Sequence, residues 1–197
     1  MTAIALRPPN RIARPALILA GVAGIVGLRW AATVHATAGA VAIGLVFGLG
    51  LIAVAFAGGW RPMPERRRAA AAVAAGAAGG AVLVLLAVLT RSGQLPWLAP
   101  AAAFGPWVAV TVLVASAEEL VLRGALFDEL HVSLGTAGAV LVTSFVFALM
   151  HVPLYGWHVV PLDFGVGLWL AGLRLATGGI AAPAIAHTIA DLATWWL

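Results

Sequence analysis

Between Ala16 and Trp196 the sequence is a succession of apolar runs, broken only by short stretches bearing Arg, Pro or Gly. No pattern constrains a fold more. Inside a bilayer every backbone N–H and C=O must be satisfied within the protein, so such runs become transmembrane helices. The chain is 63% hydrophobic and 9% charged, with 197 residues and a mean hydropathy of +1.06. At ~20 residues per crossing it accommodates about seven spans, with six to eight as the range. The expected fold class is all-α: a polytopic transmembrane bundle forming one membrane domain over 1–197, without room for a separate soluble unit.

The spans are expected near Ala16–Leu28, Thr37–Gly58, Ala69–Leu89, Phe104–Leu126, Thr136–Val152, Leu162–Ala176 and from Ala181 to Trp195-Trp196. The basic leader before Ala16 resembles a secretory signal, but the runs that follow favour a retained first span. Arg29-Trp30 reads as an interfacial anchor after that span. Gly44, Gly48 and Gly50 allow close helix contact in the second. Trp60–Arg68 is the strongest loop: two prolines break the helix, and its arginines hold it in the cytoplasm. Arg7, Arg11 and Arg14 lie on the same side if two spans intervene, so the N-terminus is expected to be cytoplasmic. Arg91–Trp97 is a turn, and Pro100 and Pro106 make 95–106 irregular. All the basic residues are arginine, which with the Ala and Gly excess suggests a bacterial cell membrane protein. The net charge of +4 is spent on topology, and no nucleic-acid partner is expected. With no cysteine, disulfides, thiol nucleophiles and thiolate metal sites are excluded.

Within the fourth run lies Ser116-Ala117-Glu118-Glu119-Leu120-Val121-Leu122-Arg123-Gly124. A central charge costs roughly 2.5–3.5 kcal/mol on insertion scales, and each Leu or Val returns only about 0.3–0.6. This helix therefore needs partners, with its charges facing protein or a wet cavity. Glu119 and Arg123 are i and i+4 with the acid first, the better order for an ion pair. Glu118 is rotated about 100° from Glu119 and has no cation in its own helix. An unpaired carboxylate there is a natural general base. Polar glue between helices is the competing reading; an adjacent acid pair with an arginine favours a site.

Two later runs carry Phe147-Ala148-Leu149-Met150-His151 and His187-Thr188-Ile189-Ala190-Asp191. Ser133–Gly135 is the expected turn, about sixteen residues from both Glu118 and His151. In an antiparallel pair equal distance from the turn means equal depth, so those two side chains are expected to face each other. Phe147, one turn before His151, can wall the imidazole. Asp191, one turn after His187, can accept a hydrogen bond from that ring and fix its tautomer or charge. His35, His131 and His158 read as solvated loop residues. Asp163 and Arg174 read as end markers of the sixth span, and Asp128 and Glu129 as a solvated face.

Glu118-Glu119-x-x-x-Arg123, Phe147-x-x-x-His151 and His187-x-x-x-Asp191 together resemble the three motifs of the CPBP family. That group comprises type II CAAX prenyl proteases and bacteriocin-processing or ABI-type membrane proteins. The resemblance covers about Ala115 to Leu192, within a motif-bearing core at 104–197. It implies a glutamate-dependent intramembrane endopeptidase acting on a membrane-associated or hydrophobic peptide. Glu118 and His151 would activate a water, and His187 and residue 191 would stabilise the oxyanion. Glu119, Arg123 and Phe147 would support them. CAAX-processing members more familiarly carry Asn at the last position. Asp191 cannot donate when ionised, so it would instead orient and charge His187.

The resemblance implies no cofactor. Glu118, His151 and His187 also make a catalytic zinc set, the alternative, although no His-Glu-x-x-His is present. Gly-x-Gly-Asp and a Gly-x-Ser-Gly setting for Ser116 are likewise missing. The expected partners are the lipid bilayer and a peptide or membrane-protein substrate. The competing function is a non-enzymatic bacteriocin self-immunity or membrane-partner binding protein using the same pocket. A proton-coupled carrier would show repeated halves, and none is visible.

Overall fold

The computed structural model describes residues 13–35, 38–61, 69–90 and 103–196. Arg7, Arg11, Arg66 to Arg68 and the turn expected at 91–97 lie outside the described residues. The fold is an all-α polytopic membrane bundle. Its helices are α1 (Ala13–Val34), α2 (Ala40–Ala57), α3 (Ala69–Thr90), α4 (Phe104–Glu119), α5 (Phe127–Tyr155), α6 (Val160–Thr177) and α7 (Ala181–Ala193). A π-helical stretch, Leu120–Leu126, joins α4 to α5, and a 3₁₀ turn, Trp157–Val159, precedes α6.

Among the described residues five helical stretches are long and apolar enough to cross a membrane. One of them, Phe104–Tyr155, has 52 residues and is two arms. Its chain reverses at Gly135, where φ is 72° and ψ is 179°, a left-handed conformation glycine adopts without a Cβ clash. Glu119 and Phe147 show the reversal. A continuous helix would hold them roughly 40 Å apart, yet both touch His187. The thirteen residues of α7 span only about 20 Å, so this last helix is shorter than a full crossing.

Helix α1 runs past the expected end at Leu28. Arg29-Trp30 lies inside it, so the helix does not stop where the span was expected to end. Arg and the alanines after it are good helix formers, and the Arg29 guanidinium sits 4.3 Å over the Phe47 ring of α2.

Small residues set the helix rotations that matter for the centre. Gly76 and Gly80 of α3 lie against α7. A Cβ on Gly76 would come within 2.8 Å of the Ala182 carbonyl, and one on Gly80 within 2.7 Å of Ile189 Cβ. Backbone contact this close is the usual device of membrane helices, which gain little from hydrophobic exclusion in lipid. Gly167 of α6 is pressed onto Ser144 of α5, where a Cβ would be 2.8 Å from the Ser144 Cα. At the far end of α7, the Trp195 ring lies 5.0 Å from Phe104 and 4.7 Å from Trp107 of α4.

One end of the bundle carries cross-helix ion pairs. Arg174 of α6 bonds Asp128 and lies 4.5 Å from the Phe127 ring centroid. Arg14 of α1 is 3.5 Å from Glu129. Asp128 is exposed and Glu129 half-buried, in keeping with a solvated face, yet both are also tied to neighbouring helices, and Arg174 is more than an end marker. The reason is the reversal at Gly135, which swings 127–134 beside the ends of α1 and α6. His131 is helical too, and its Nδ1 pairs with the Thr136 hydroxyl at 3.2 Å.

Candidate active site

The centre begins with Arg123, whose side chain is fully buried. A guanidinium there must have its donors met, because it does not deprotonate in proteins. It finds partners across three helices, while its Nε has no hydrogen-bond partner among the described residues. Nη1 donates to Glu119 Oε1 at 2.9 Å and Nη2 to the Gly167 carbonyl at 3.1 Å. The Phe147 ring lies 4.8 Å from its Cζ, a cation–π contact that strengthens with desolvation. The Gly167 carbonyl is within reach because α6 packs so closely on α5. The π-helical stretch that carries Arg123 is itself uncommon, and such i→i+5 turns gather at functional sites.

Glu119 holds a second base. Its Oε1 also lies 3.0 Å from His187 Nδ1. A carboxylate already paired with an arginine can only accept, so Nδ1 carries a hydrogen and donates to it. That leaves Nε2 of His187 facing two other acids, Glu118 Oε2 at 3.8 Å and Asp191 Oδ2 at 3.6 Å. These are ion-pair separations beyond hydrogen-bond reach. The expectation for His187 therefore changes in one respect: Glu119 orients the ring, and Asp191 contributes charge from further off. The rotation of about 100° between Glu118 and Glu119 puts one carboxylate on each nitrogen.

His151 is fixed from its own helix. Nδ1 donates to the Phe147 carbonyl at 2.9 Å, so a neutral His151 presents a bare Nε2. Asp163 Oδ2 lies 3.5 Å from the same Nδ1. The Phe147 ring stands between the two imidazoles, 4.9 Å from His151 and 5.3 Å from His187. Tyr155 ends α5 and stacks at 6.0 Å on His151. Glu118 and His151 border this group without bonding each other directly. Among the described residues no three His, Cys, Asp or Glu side chains are gathered to hold a metal ion, the set Glu118, His151 and His187 included.

Asp163 is the residue that sequence reasoning missed, taken for a span end. The signal was present. Trp157 is six residues from both His151 and Asp163, so the equal-depth rule that linked Glu118 to His151 applies to this second turn as well. Gly156, with φ of 88°, makes the reversal.

Side-chain exposure grades across the group. Glu119 and Arg123 are at 0%, Glu118 at 3% and His187 at 6%, whereas His151 is at 18%, Asp163 at 19% and Asp191 at 41%. The site is closed at Arg123 and opens past His151, Asp163 and Asp191.

Residues 100–193 match the family model described as type II CAAX prenyl endopeptidase Rce1-like. No curated protein and no solved structure matches the chain.

Proposed function

Because the segment 100–193 belongs to the CAAX/CPBP family of intramembrane proteases, we propose that this multi-pass membrane protein hydrolyses a peptide bond of a hydrophobic or membrane-associated peptide with a glutamate-activated water. Glu118 and the bare Nε2 of His151 accept from one water. Glu118 removes its proton as the oxygen bonds to the peptide carbonyl carbon. The carbonyl oxygen becomes an oxyanion and receives a hydrogen bond from His187, protonated at Nε2. Collapse breaks the C–N bond, and the proton held by Glu118 passes to the leaving amine.

The observation that carries this reading is the placement of His187, held through Nδ1 by Glu119 at 3.0 Å with Glu118 3.8 Å from Nε2. An imidazolium there is compensated by three carboxylates, so it can stay charged and donate within a buried site. Asp191, where CAAX-processing members more familiarly carry Asn, serves that compensation without touching the oxyanion. Asp163, 3.5 Å from His151 Nδ1, helps keep the hydrogen of that ring on Nδ1 and Nε2 bare for the water.

No step above requires a metal, and hydrolysis without added zinc is part of the proposal. We also assign the protein to a bacterial cell membrane with its N-terminus in the cytoplasm, on the arginine distribution. The test is purified full-length protein in detergent, presented with a peptide library. Cleavage that persists in chelator and disappears in Glu118→Gln supports the reading. Cleavage that survives Glu118→Gln removes the glutamate base, and cleavage lost in chelator but restored by zinc replaces the metal-free route.

A further inference from the structure

Six acids lie among the described residues, and each faces a base. Glu119 pairs with Arg123, Asp128 with Arg174 and Glu129 with Arg14, while Glu118 and Asp191 face His187 and Asp163 faces His151. Of the described cations left over, Arg61 is exposed and donates to the Trp60 carbonyl, which leaves Arg29. It is half-buried in α1, and among the described residues no carboxylate comes within ion-pair distance of it. Its guanidinium rests on the Phe47 ring, and among the described residues no acceptor takes a hydrogen bond from it. A charge inside a membrane helix is retained for a reason, and an unpaired one points to a ligand.

Its position gives the ligand's direction. Arg14 of the same helix pairs with Glu129 at the closed end. Fifteen residues further on, roughly 22 Å along the axis, Arg29 stands in the half of the bundle where the site opens. Asp191 and the Tyr155 hydroxyl lie within its electrostatic range. Beside it is a cavity of about 200 Å³ between α1 and α2, lined by Ile25, Leu28, Ile43, Val46 and Phe47 as well as Arg29 itself. Sites for drug-sized ligands run to roughly 300–1,000 Å³. This one is of a size for a single apolar side chain.

We infer that Arg29 and this cavity form a substrate subsite, which binds a carboxylate of the peptide on the guanidinium and a neighbouring apolar side chain in the cavity. The inference deepens the proteolytic reading and rests on it for calling the peptide a substrate. Charge complementarity sets the ligand's sign, and Phe47 beneath the guanidinium holds the fork in place for two parallel hydrogen bonds to a carboxylate.

The test uses full-length Glu118→Gln protein in detergent micelles, so that bound peptide is not turned over. The probes are fluorescent Ala/Leu peptides in two matched pairs: internal Asp against Asn with both termini blocked, and free against amidated C-terminus. In at least one pair the acid should bind about tenfold or more tightly than its neutral twin, and that pair identifies the source of the carboxylate. Adding Arg29→Gln should close the gap to within about twofold, Arg29→Lys should restore part of it, and Ile43→Trp should weaken both members alike. A thermal melt confirms each variant is folded.

Equal binding in both pairs, or a gap that survives Arg29→Gln, overturns the subsite. So does a loss of binding to phosphatidylglycerol vesicles in Arg29→Gln with the peptide gap unchanged, which would make Arg29 a lipid anchor. A retained gap in a protein whose wild type cleaves nothing removes proteolysis alone. Cleavage without any gap removes the subsite alone.

Discussion

At the closed end of the bundle acids meet arginines, and at the open end they meet histidines. Asp128 and Glu129 are tied to Arg174 and Arg14, and Glu119 to Arg123, whereas Glu118, Asp163 and Asp191 face His187 and His151. The difference is chemical. A guanidinium keeps its proton under all physiological conditions, so an Arg–acid pair can fasten helices but cannot exchange protons. Imidazole changes charge near neutrality, so a His–acid pair can. Glu119 belongs to both sets, since a single oxygen accepts from Arg123 and His187. It links the Arg123 pair directly to the His187 ring. On the proposed mechanism, adjacent residues with the same side chain divide the labour: Glu119 holds, and Glu118 reacts.

The sharpest way to break this comparison is Glu119→Gln. It leaves the buried Arg123 without its counter-charge and loosens His187. Breaking a buried pair from one side costs roughly 3–5 kcal/mol, so a markedly lower melting temperature in detergent is expected, with activity falling alongside. Next comes Glu118→Gln, nearly isosteric and at a residue that forms no ion pair with an arginine among the described residues. Its melting temperature should stay near wild type while the rate drops on the order of 100-fold or more. Both variants should be melted and assayed in one detergent. If Glu118→Gln unfolds while Glu119→Gln stays folded and inactive, the two roles are reversed.

Asp163→Asn probes the histidine side more gently. Partners behind a catalytic group typically contribute about tenfold or more. The turnover number should fall by about that factor, with KM and melting temperature little changed. A change in KM alone would instead make Asp163 a binding residue. The smallest effect is expected at the arginine end, from Asp128→Asn. That pair is half exposed and worth about 0–1 kcal/mol, so a small drop in melting temperature and unchanged activity are expected. A loss of activity there would show that the two ends are coupled, and the division between fastening and reaction would fail.

What the sequence determined by itself was local. Apolar length and the arginine breaks specify membrane helices, because lipid leaves the backbone no alternative. Spacing of four residues on one helix predicts the Glu119–Arg123 pair, and the structure shows it at 2.9 Å. Distance from a turn predicts shared depth for Glu118 and His151, and the same rule reaches the overlooked Asp163, which lies 3.5 Å from His151. The partners across helices are another matter. That His187 is held by Glu119, 68 residues away, that Arg123 reaches the Gly167 carbonyl, and that Arg174 finds Asp128 all depend on how each helix is rotated about its axis. Hydropathy is silent on that rotation, since α2, α3 and α4 are apolar nearly all round. Close backbone contacts decide it, at Gly167 on Ser144 and at Gly76 and Gly80 on α7, where only a missing side chain lets two helices approach and turns the polar residues inward.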